Sequence, residues 1–347
     1  MSNIVIINQE FMESEILDLF FTHFGIQADR IAPLPLSGSA RRYFRLWKGE
    51  RSYIGVYNRN VEENRLFIDF TAHFRACGLA VPEVMAVSED RLTYIQEDLG
   101  EFMLLDVVEQ EREQEYLSGH LLSLYRKALS GLLRFQLQGG VGLDYSGCVP
   151  RPVFDRQCVM WDLNYFKYCF LRLAAADFAE QELENDFNKL ADIIDNEPAE
   201  YFMFRDFQSR NIMVKDDEVF FIDYQGGRKG ALCYDVASLL YDAIVKLPDS
   251  QREELLDYYT GELDKVIPLA GERFRKVYDH FVLVRLLQAM GAFGLRGLYE
   301  GKQHFVDSII PGLQNILSLF TGERLAGQYP AIEKVCRQVL QRRQALQ

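Results

Sequence analysis

Phe204-Arg205-Asp206-Phe207-Gln208-Ser209-Arg210-Asn211-Ile212-Met213, followed shortly by Phe221-Ile222-Asp223-Tyr224, is the stretch from which the fold is read. An Asp and an Asn stand five residues apart, ahead of two apolar runs that flank the turn Asp216-Asp217-Glu218. Apolar runs around a turn of that kind predict a β-hairpin over Asn211 to Tyr224. Asp223 follows Phe220-Phe221-Ile222, where a carboxylate is costly unless something pairs with it, and a metal ion is one such partner. Transfer of a phosphoryl group to a hydroxyl needs a carboxylate to orient that hydroxyl and accept its proton. It also needs oxygen ligands for the cations that bridge the phosphates. A loop carrying Asp206 and Asn211, with Asp223 returning beside it on the far strand, supplies both. Taken singly, the three side chains suit a solvated loop, a turn and a strand end; as a set they point to phosphoryl transfer.

Upstream, residues 10–24 predict an amphipathic helix, with Phe11, Ile16, Leu19, Phe20 and Phe24 on one side and Gly25 as its stop. Short strand-like runs follow, from Ile31 to Leu36, Arg42 to Trp47 and Tyr53 to Tyr57, separated by Ser37-Gly38-Ser39 and Lys48-Gly49-Glu50. A helix from about Glu62 to Cys77 ends at Gly78, and strands are expected at Val84 to Val87 and Leu92 to Gln96. After Gly100 the pattern turns helical, with helices over 115–138, 156–178 and 181–194 and further ones to the end. The fold class that emerges is α+β and two-lobed. Residues 1–98 form a small β-rich N-lobe, and residues 99–347 a large helical C-lobe.

Composition narrows the partners. The 38 Lys and Arg stand against 51 Asp and Glu, a net charge of -13, whereas proteins that grip phosphate backbones usually carry the opposite sign. Neither nucleic acid nor a membrane is expected as a partner; a small molecule is. No apolar window is expected to reach the length of a membrane helix, and Met1 to Glu10 lacks the basic region of a signal peptide. The six cysteines form no CxxC pair and no Cys/His cluster, so they read as small buried hydrophobes in a reducing, cytoplasmic setting.

With these residues in view, the segment from 201 to 242 resembles the aminoglycoside phosphotransferase and choline kinase group, distant relatives of the protein kinases. The likeness lies in Phe204 to Asn211, in Ile222-Asp223, and in Tyr234-Asp235-Val236-Ala237-Ser238-Leu239-Leu240. It implies a protein-kinase-like fold that uses ATP and Mg2+. Asp206 would be the catalytic base, Asn211 and Asp223 the Mg2+ ligands, and Asp235 the residue that braces the loop. Leu36 to Arg45 looks like the family's nucleotide loop, with Gly38, Ser39 and Arg42 beside phosphate. Glu97-Asp98-Leu99-Gly100 resembles the hinge that meets adenine through its backbone at Glu97 and Leu99. Glu63 stands where the family places the acid that braces a phosphate-binding Lys.

Two departures from the family pattern are visible. Phe204 replaces the His of the catalytic loop, and the third strand, Ser52 to Asn58, has no Lys. Arg42 and Arg45 are the nearest replacements for that charge. The second departure leaves open a kinase-fold protein that binds nucleotide or a partner and transfers nothing. Within the group, the chain looks most like bacterial kinases that phosphorylate the anomeric hydroxyl of N-acetylmuramate or N-acetylglucosamine in cell-wall recycling. That likeness lies in Ser39 to Arg45, Asp155 to Phe166, Gln208 to Asn211 and Arg285 to Phe293. A neutral or acidic sugar needs hydrogen-bonding side chains and an aromatic platform, and Asp162, Gln208, Gln288 and Arg296 can supply the former. An aminoglycoside or choline would instead want a ring of acids or an aromatic cage, and that alternative stays open.

Overall fold

The computed structural model describes residues 2–35, 41–111 and 116–344. Gly38 and Ser39 of the expected nucleotide loop lie outside the described residues. The first hundred residues build one antiparallel sheet from β1 (Arg30–Pro33), β2 (Arg42–Lys48), β3 (Arg51–Tyr57), β4 (Val84–Val87) and β5 (Thr93–Glu97). Its spatial order is β1-β2-β3-β5-β4. Helix α1 (Ser2–Phe24) covers one face, burying Ile16 and Phe20 against Phe44, Leu46 and Ile95. It begins earlier than the 10–24 expected. Helix α2 (Val61–Ala76), between β3 and β4, lies on the other face and carries Leu66, Phe67, Phe70 and Phe74 into the main core. Its start is set by the Asn60 side chain, which accepts a hydrogen bond from Glu63 N at 3.2 Å, and its end by Gly78 in the left-handed conformation.

The second half is mainly helical: α3 (Leu104–Glu111), α4 (Gly119–Arg134), α5 (Arg156–Phe166), α6 (Glu180–Asp195), α7 (Cys233–Leu240), α8 (Asp249–Val266), α9 (Ala270–Phe293), α10 (Gln303–Asp307), α11 (Ile309–Ser318) and α12 (Pro330–Gln344). Short strands are set among them. The expected hairpin is β8 (Ile212–Lys215) with β9 (Glu218–Phe221), joined at its edge by β6 (Phe102–Met103), while β7 (Tyr201–Met203) pairs with β10 (Arg228–Gly230). The helix expected over 156–178 stops short. It passes into a π turn at Lys167–Leu171, and Ala175 has a positive φ of 50°.

One expectation is corrected. Ala270–Tyr299, which comprises α9 and the π turn Gly294–Tyr299, is long and apolar enough to cross a membrane. Most of its apolar stretch is buried inside the protein, as in the central helix of a packed core. Two glycines set how closely it approaches α5. A Cβ on Gly291 would meet the Tyr165 ring at 2.5 Å, and one on Gly294 would meet the Cys169 carbonyl oxygen at 1.9 Å. The second obstacle is backbone, which has no rotamer to yield. This close crossing sets the height at which Gln288, Ala289 and Phe293 stand in the helical lobe.

Gly294→Ala should therefore destabilise the fold through overpacking, by about 1–3 kcal/mol or more. In a chain of this size that lowers Tm by roughly 1–4 °C. A thermal melt within 1 °C of wild type would show that the two helices part without cost.

Candidate active site

The loop after β7 is held by buried groups on both sides. Phe204 sits among the rings of Phe135, Phe202, Phe207, Phe221 and Tyr224, with centroids 5.2 to 6.5 Å away. An aromatic anchor thus stands where the resembling family has a polar His. The N–H groups of Phe204 and Arg205 donate to the two carboxylate oxygens of Asp235 at 2.6 and 2.9 Å. Burial pushes the Asp235 carboxyl up to about 7, and the two N–H bonds pull it only part of the way back.

Arg205 adopts a φ of 79°, a conformation that costs a residue with a Cβ about 1–3 kcal/mol. Its side chain is clamped. The guanidinium donates to Asp162 through Nη1 and Nη2, at 2.8 and 2.6 Å, and through Nη1 to Tyr234 Oη at 2.6 Å. It also lies 5.0 Å from the ring centres of Phe154 and Tyr234. Burial opposes its charge, and Asp162 and its other neighbours outweigh that and hold its pKa above the usual range. Asp162, expected beside substrate, is thus engaged in orienting the residue next to Asp206.

Asp206 follows, half-buried, and its carbonyl accepts a hydrogen bond from Asn211 Nδ2 at 2.8 Å. That bond leaves Asn211 Oδ1 turned to act as an acceptor or ligand. Ile222 N donates to Asn211 O at 3.1 Å, which ties the loop to the end of β9 and brings Asp223 alongside Asn211. Asp223 is also left-handed, with φ 64°. Gln225 Nε2 donates to its Oδ1 at 2.7 Å, while Gln225 Oε1 is buried with no hydrogen-bond partner. Among the described residues no cluster of three or more His, Cys, Asp or Glu could hold a metal. An all-oxygen pair, Asn211 with Asp223, beside an unsatisfied amide oxygen nevertheless fits a hard cation. Mg2+ keeps most of its shell as water and phosphate and needs few protein ligands.

In the N-lobe a buried arginine that sequence reading passed over lies between Glu63 and Asp223. Arg41, 3% exposed, places Nη2 3.0 Å from Glu63 Oε1 and Nη1 3.8 Å from Asp223 Oδ1. Arg45 turns instead to the hinge, bonding Asp98 at 2.7 Å, Glu101 at 2.6 Å and Gly100 O at 2.8 Å. Arg42 Nη1 donates to Arg41 O at 3.1 Å. The alternation of β2 separates Arg41 from Arg42 but not from Arg45. Phe44 and Leu46 pack under α1, so Arg42 shares their face, while Arg41, Tyr43 and Arg45 share the other. Glu97 ends β5, donating its N–H to Glu83 O at 2.8 Å, and Leu99 behind it is buried.

A cavity of about 170 Å³ adjoins Asp206 in the helical lobe. Gln208 and Gln288 line it, whereas Asp162 and Arg296 do not; Arg296 lies 3.6 Å from Glu300. Sequence reading missed Asp242, Arg210 and Arg285, which also line it. Asp242 accepts from Ser209 Oγ at 2.9 Å, and buried Arg285 donates to Ser238 Oγ at 3.0 Å and Gln288 Oε1 at 2.8 Å. Gln208 Oε1 is buried without a hydrogen-bond partner. Phe293 and Phe305 give the wall aromatic surface. Its two acids, Asp206 and Asp242, are matched by two arginines, so the lining carries no net negative charge.

Comparison with known proteins gives the family and the fold. The family model described as "Phosphotransferase enzyme family" matches residues 30–269, more than half of the chain, and the chain belongs to that family. It is 24% identical over 286 residues to an N-acetylmuramate/N-acetylglucosamine kinase of Pseudomonas aeruginosa, covering 80% of each chain. A protein of the same name from Pseudomonas putida is 24% identical over 309 residues, 86% of each. Among solved structures, a thermostable mutant of aminoglycoside phosphotransferase APH(4)-Ia with ADP and hygromycin B superposes with a TM-score of 0.58 at 15% identity, covering 89% of this chain and 99% of that one. A Plasmodium vivax ethanolamine kinase does so at 0.56 and 12%, covering 82% of each. The fold is the kinase-like one, and the protein is a phosphotransferase.

Asp235→Asn tests the brace. Asn offers one acceptor oxygen, so a buried N–H of Phe204 or Arg205 loses its partner at a cost of about 1–3 kcal/mol. Tm should fall, and turnover should fall at least about tenfold. The sign with pH is specific. A carboxyl near 7 when folded, against an ordinary value of 3.8, contributes most below that ordinary value, and its contribution declines as pH rises through 7. The stability gap between wild type and variant should shrink from about pH 5 to about pH 8. A gap that widens over that range would contradict the assignment.

Proposed function

We propose that this chain transfers the γ-phosphoryl group of Mg-ATP to the anomeric hydroxyl of an N-acetylated amino sugar such as N-acetylmuramate or N-acetylglucosamine. Residues 1–98 serve as the nucleotide-binding lobe, with Glu63, Glu97 and Leu99 at the nucleotide. Residues 99–347 carry the catalytic loop and the acceptor cavity. Mg2+, held by Asn211 and Asp223, would neutralise charge on the phosphates. Asp206 stands at the cavity wall, where an acceptor hydroxyl can donate its proton to it. A free sugar's anomeric hydroxyl is more acidic than an ordinary alcohol, so Asp206 need only orient it and collect the proton late. Less charge then has to be stabilised at the attacking oxygen, which suits a loop whose usual His is Phe204.

The observation that carries the acceptor class is the charge balance of the cavity. A polycationic aminoglycoside would call for an excess of acids, and the lining has none. Gln208, Gln288 and Arg285 offer the amide and guanidinium groups that suit sugar hydroxyls, an acetamido group or a lactyl carboxylate. The apolar and aromatic remainder, with Leu286, Ala289 and Phe293, excludes water from the reacting centre and offers a face for a pyranose ring. The names of the relatives at 24% identity support the same class.

Phosphorus NMR of the product from N-acetylmuramate or N-acetylglucosamine, with the methyl glycoside as control, decides the matter. An anomeric phosphate and no transfer to the glycoside are expected. A 6-phosphate, equal activity on the glycoside, or a preference for kanamycin-like amines or choline would overturn the assignment.

A further inference from the structure

The third strand has no Lys, yet phosphoryl transfer needs a fixed cation at the phosphates. We infer that Arg41, at the start of β2, is the phosphate-gripping cation of this protein and that the acid on α2 braces it there; the inference rests on the Mg-ATP reading above.

Three observations converge on Arg41. First, it is buried and ion-paired with Glu63, the acid on the inserted helix, at 3.0 Å. Second, the other nitrogen of the same guanidinium reaches 3.8 Å from Asp223, the carboxylate at the end of the hairpin. A planar fork can do both at once, Nη2 held by the acid and Nη1 directed to where cation and phosphate oxygens gather, with a more fixed geometry than the point charge of a Lys ammonium. Third, its position is fixed by packing. The guanidinium lies 5.7 Å from the centre of the Phe67 ring, and Phe67 stacks on Tyr224, the neighbour of Asp223, at 5.1 Å and an interplanar angle of 8°. Tyr224 in turn shares a hydrogen bond with Thr71 one turn further along α2. Helix, arginine and hairpin end thus form one packed unit.

The neighbours also keep it charged. Burial works against the guanidinium, and Tyr94, Tyr43 and Glu63 together outweigh that and raise its pKa. Asn58 Nδ2 donates to the second oxygen of Glu63 at 3.0 Å, so the brace is itself oriented. Arg45, the rival on the same face of β2, is committed to Asp98, Glu101 and the Gly100 carbonyl. An arginine with one edge braced and the other directed at a metal-binding carboxylate is placed to read phosphate rather than base or sugar.

The test separates phosphate recognition from general nucleotide binding. Affinities for Mg-ATP and for adenosine are measured by calorimetry on wild type, Arg41→Met, Arg41→Lys and Glu63→Gln, alongside thermal melts. Arg41→Met should weaken Mg-ATP about 10- to 100-fold, the worth of a charge-assisted bond, with adenosine affinity unchanged. Arg41→Lys should recover part of that loss. Unchanged Mg-ATP binding, or equal losses for ATP and adenosine, would overturn the inference. If Arg41→Met does not fold, Glu63→Gln decides: several-fold weaker Mg-ATP with adenosine unaffected supports it, and no difference between the two ligands overturns it. A wild type that does not prefer Mg-ATP to adenosine would sink the kinase reading and this inference together. A wild type that prefers Mg-ATP beside an unaffected Arg41→Met would sink the role of Arg41 alone.

Discussion

Asp235 accepts the N–H groups of Phe204 and Arg205 from a position with no solvent exposure, and the geometry of the loop follows from that contact. Two backbone donors at the start of an irregular loop would be orphaned in the core without it. With it, Arg205 is held in a left-handed conformation that its side chain would otherwise resist. Asp162 and the rings of Phe154 and Tyr234 then fix the guanidinium, so the strain at Arg205 is over-determined from two directions. Asp206, the next residue, inherits its orientation from both. A half-buried carboxylate is thereby set at the cavity wall.

The second half of the centre depends on the hairpin. The β8–β9 ladder, with Ile212 opposite Phe221 and Lys215 opposite Glu218, is continued by Ile222 N donating to Asn211 O, and this register sets Asn211 beside Asp223. Helix α2 reaches the same point from the other lobe, through Glu63 and Arg41 above and through Phe67 and Thr71 against Tyr224. The main core follows the same path, joining Phe67, Phe70 and Phe74 to Phe202, Phe204 and Phe221 without a break between lobes. Sheet, helix and loop are therefore one mechanical unit, and the acidic carboxylates face basic groups from both lobes. The net charge of -13 over the whole chain does not determine this local balance.

Much of this was legible in the chain itself. The apolar runs either side of Asp216-Asp217-Glu218 predict the hairpin, and the 3.6-residue spacing of Leu66, Phe70 and Phe74 marks the inserted helix. Strands of two or three residues, such as Phe102–Met103 and Tyr201–Met203, were not legible, since they are too short to show a period and exist only by pairing with distant partners. The same limit explains Asp162, whose partner Arg205 lies 43 residues away, and the missed Asp242 and Arg285, which meet only when α7 and α9 pack. Arg41 is different. The alternation of β2 separates it from Arg42, but Arg45 shares its face, and only the contacts of Arg45 with Asp98, Glu101 and the Gly100 carbonyl tell the two apart.

The most direct test of the account is the separation of binding from turnover in Asp206→Asn. If Asp206 orients the acceptor hydroxyl and takes its proton, the substitution should lower turnover by about 100- to 10,000-fold. Mg-ATP affinity should stay close to wild type, because that task belongs to other side chains. Turnover within a few-fold of wild type would remove Asp206 from the chemistry and contradict the account.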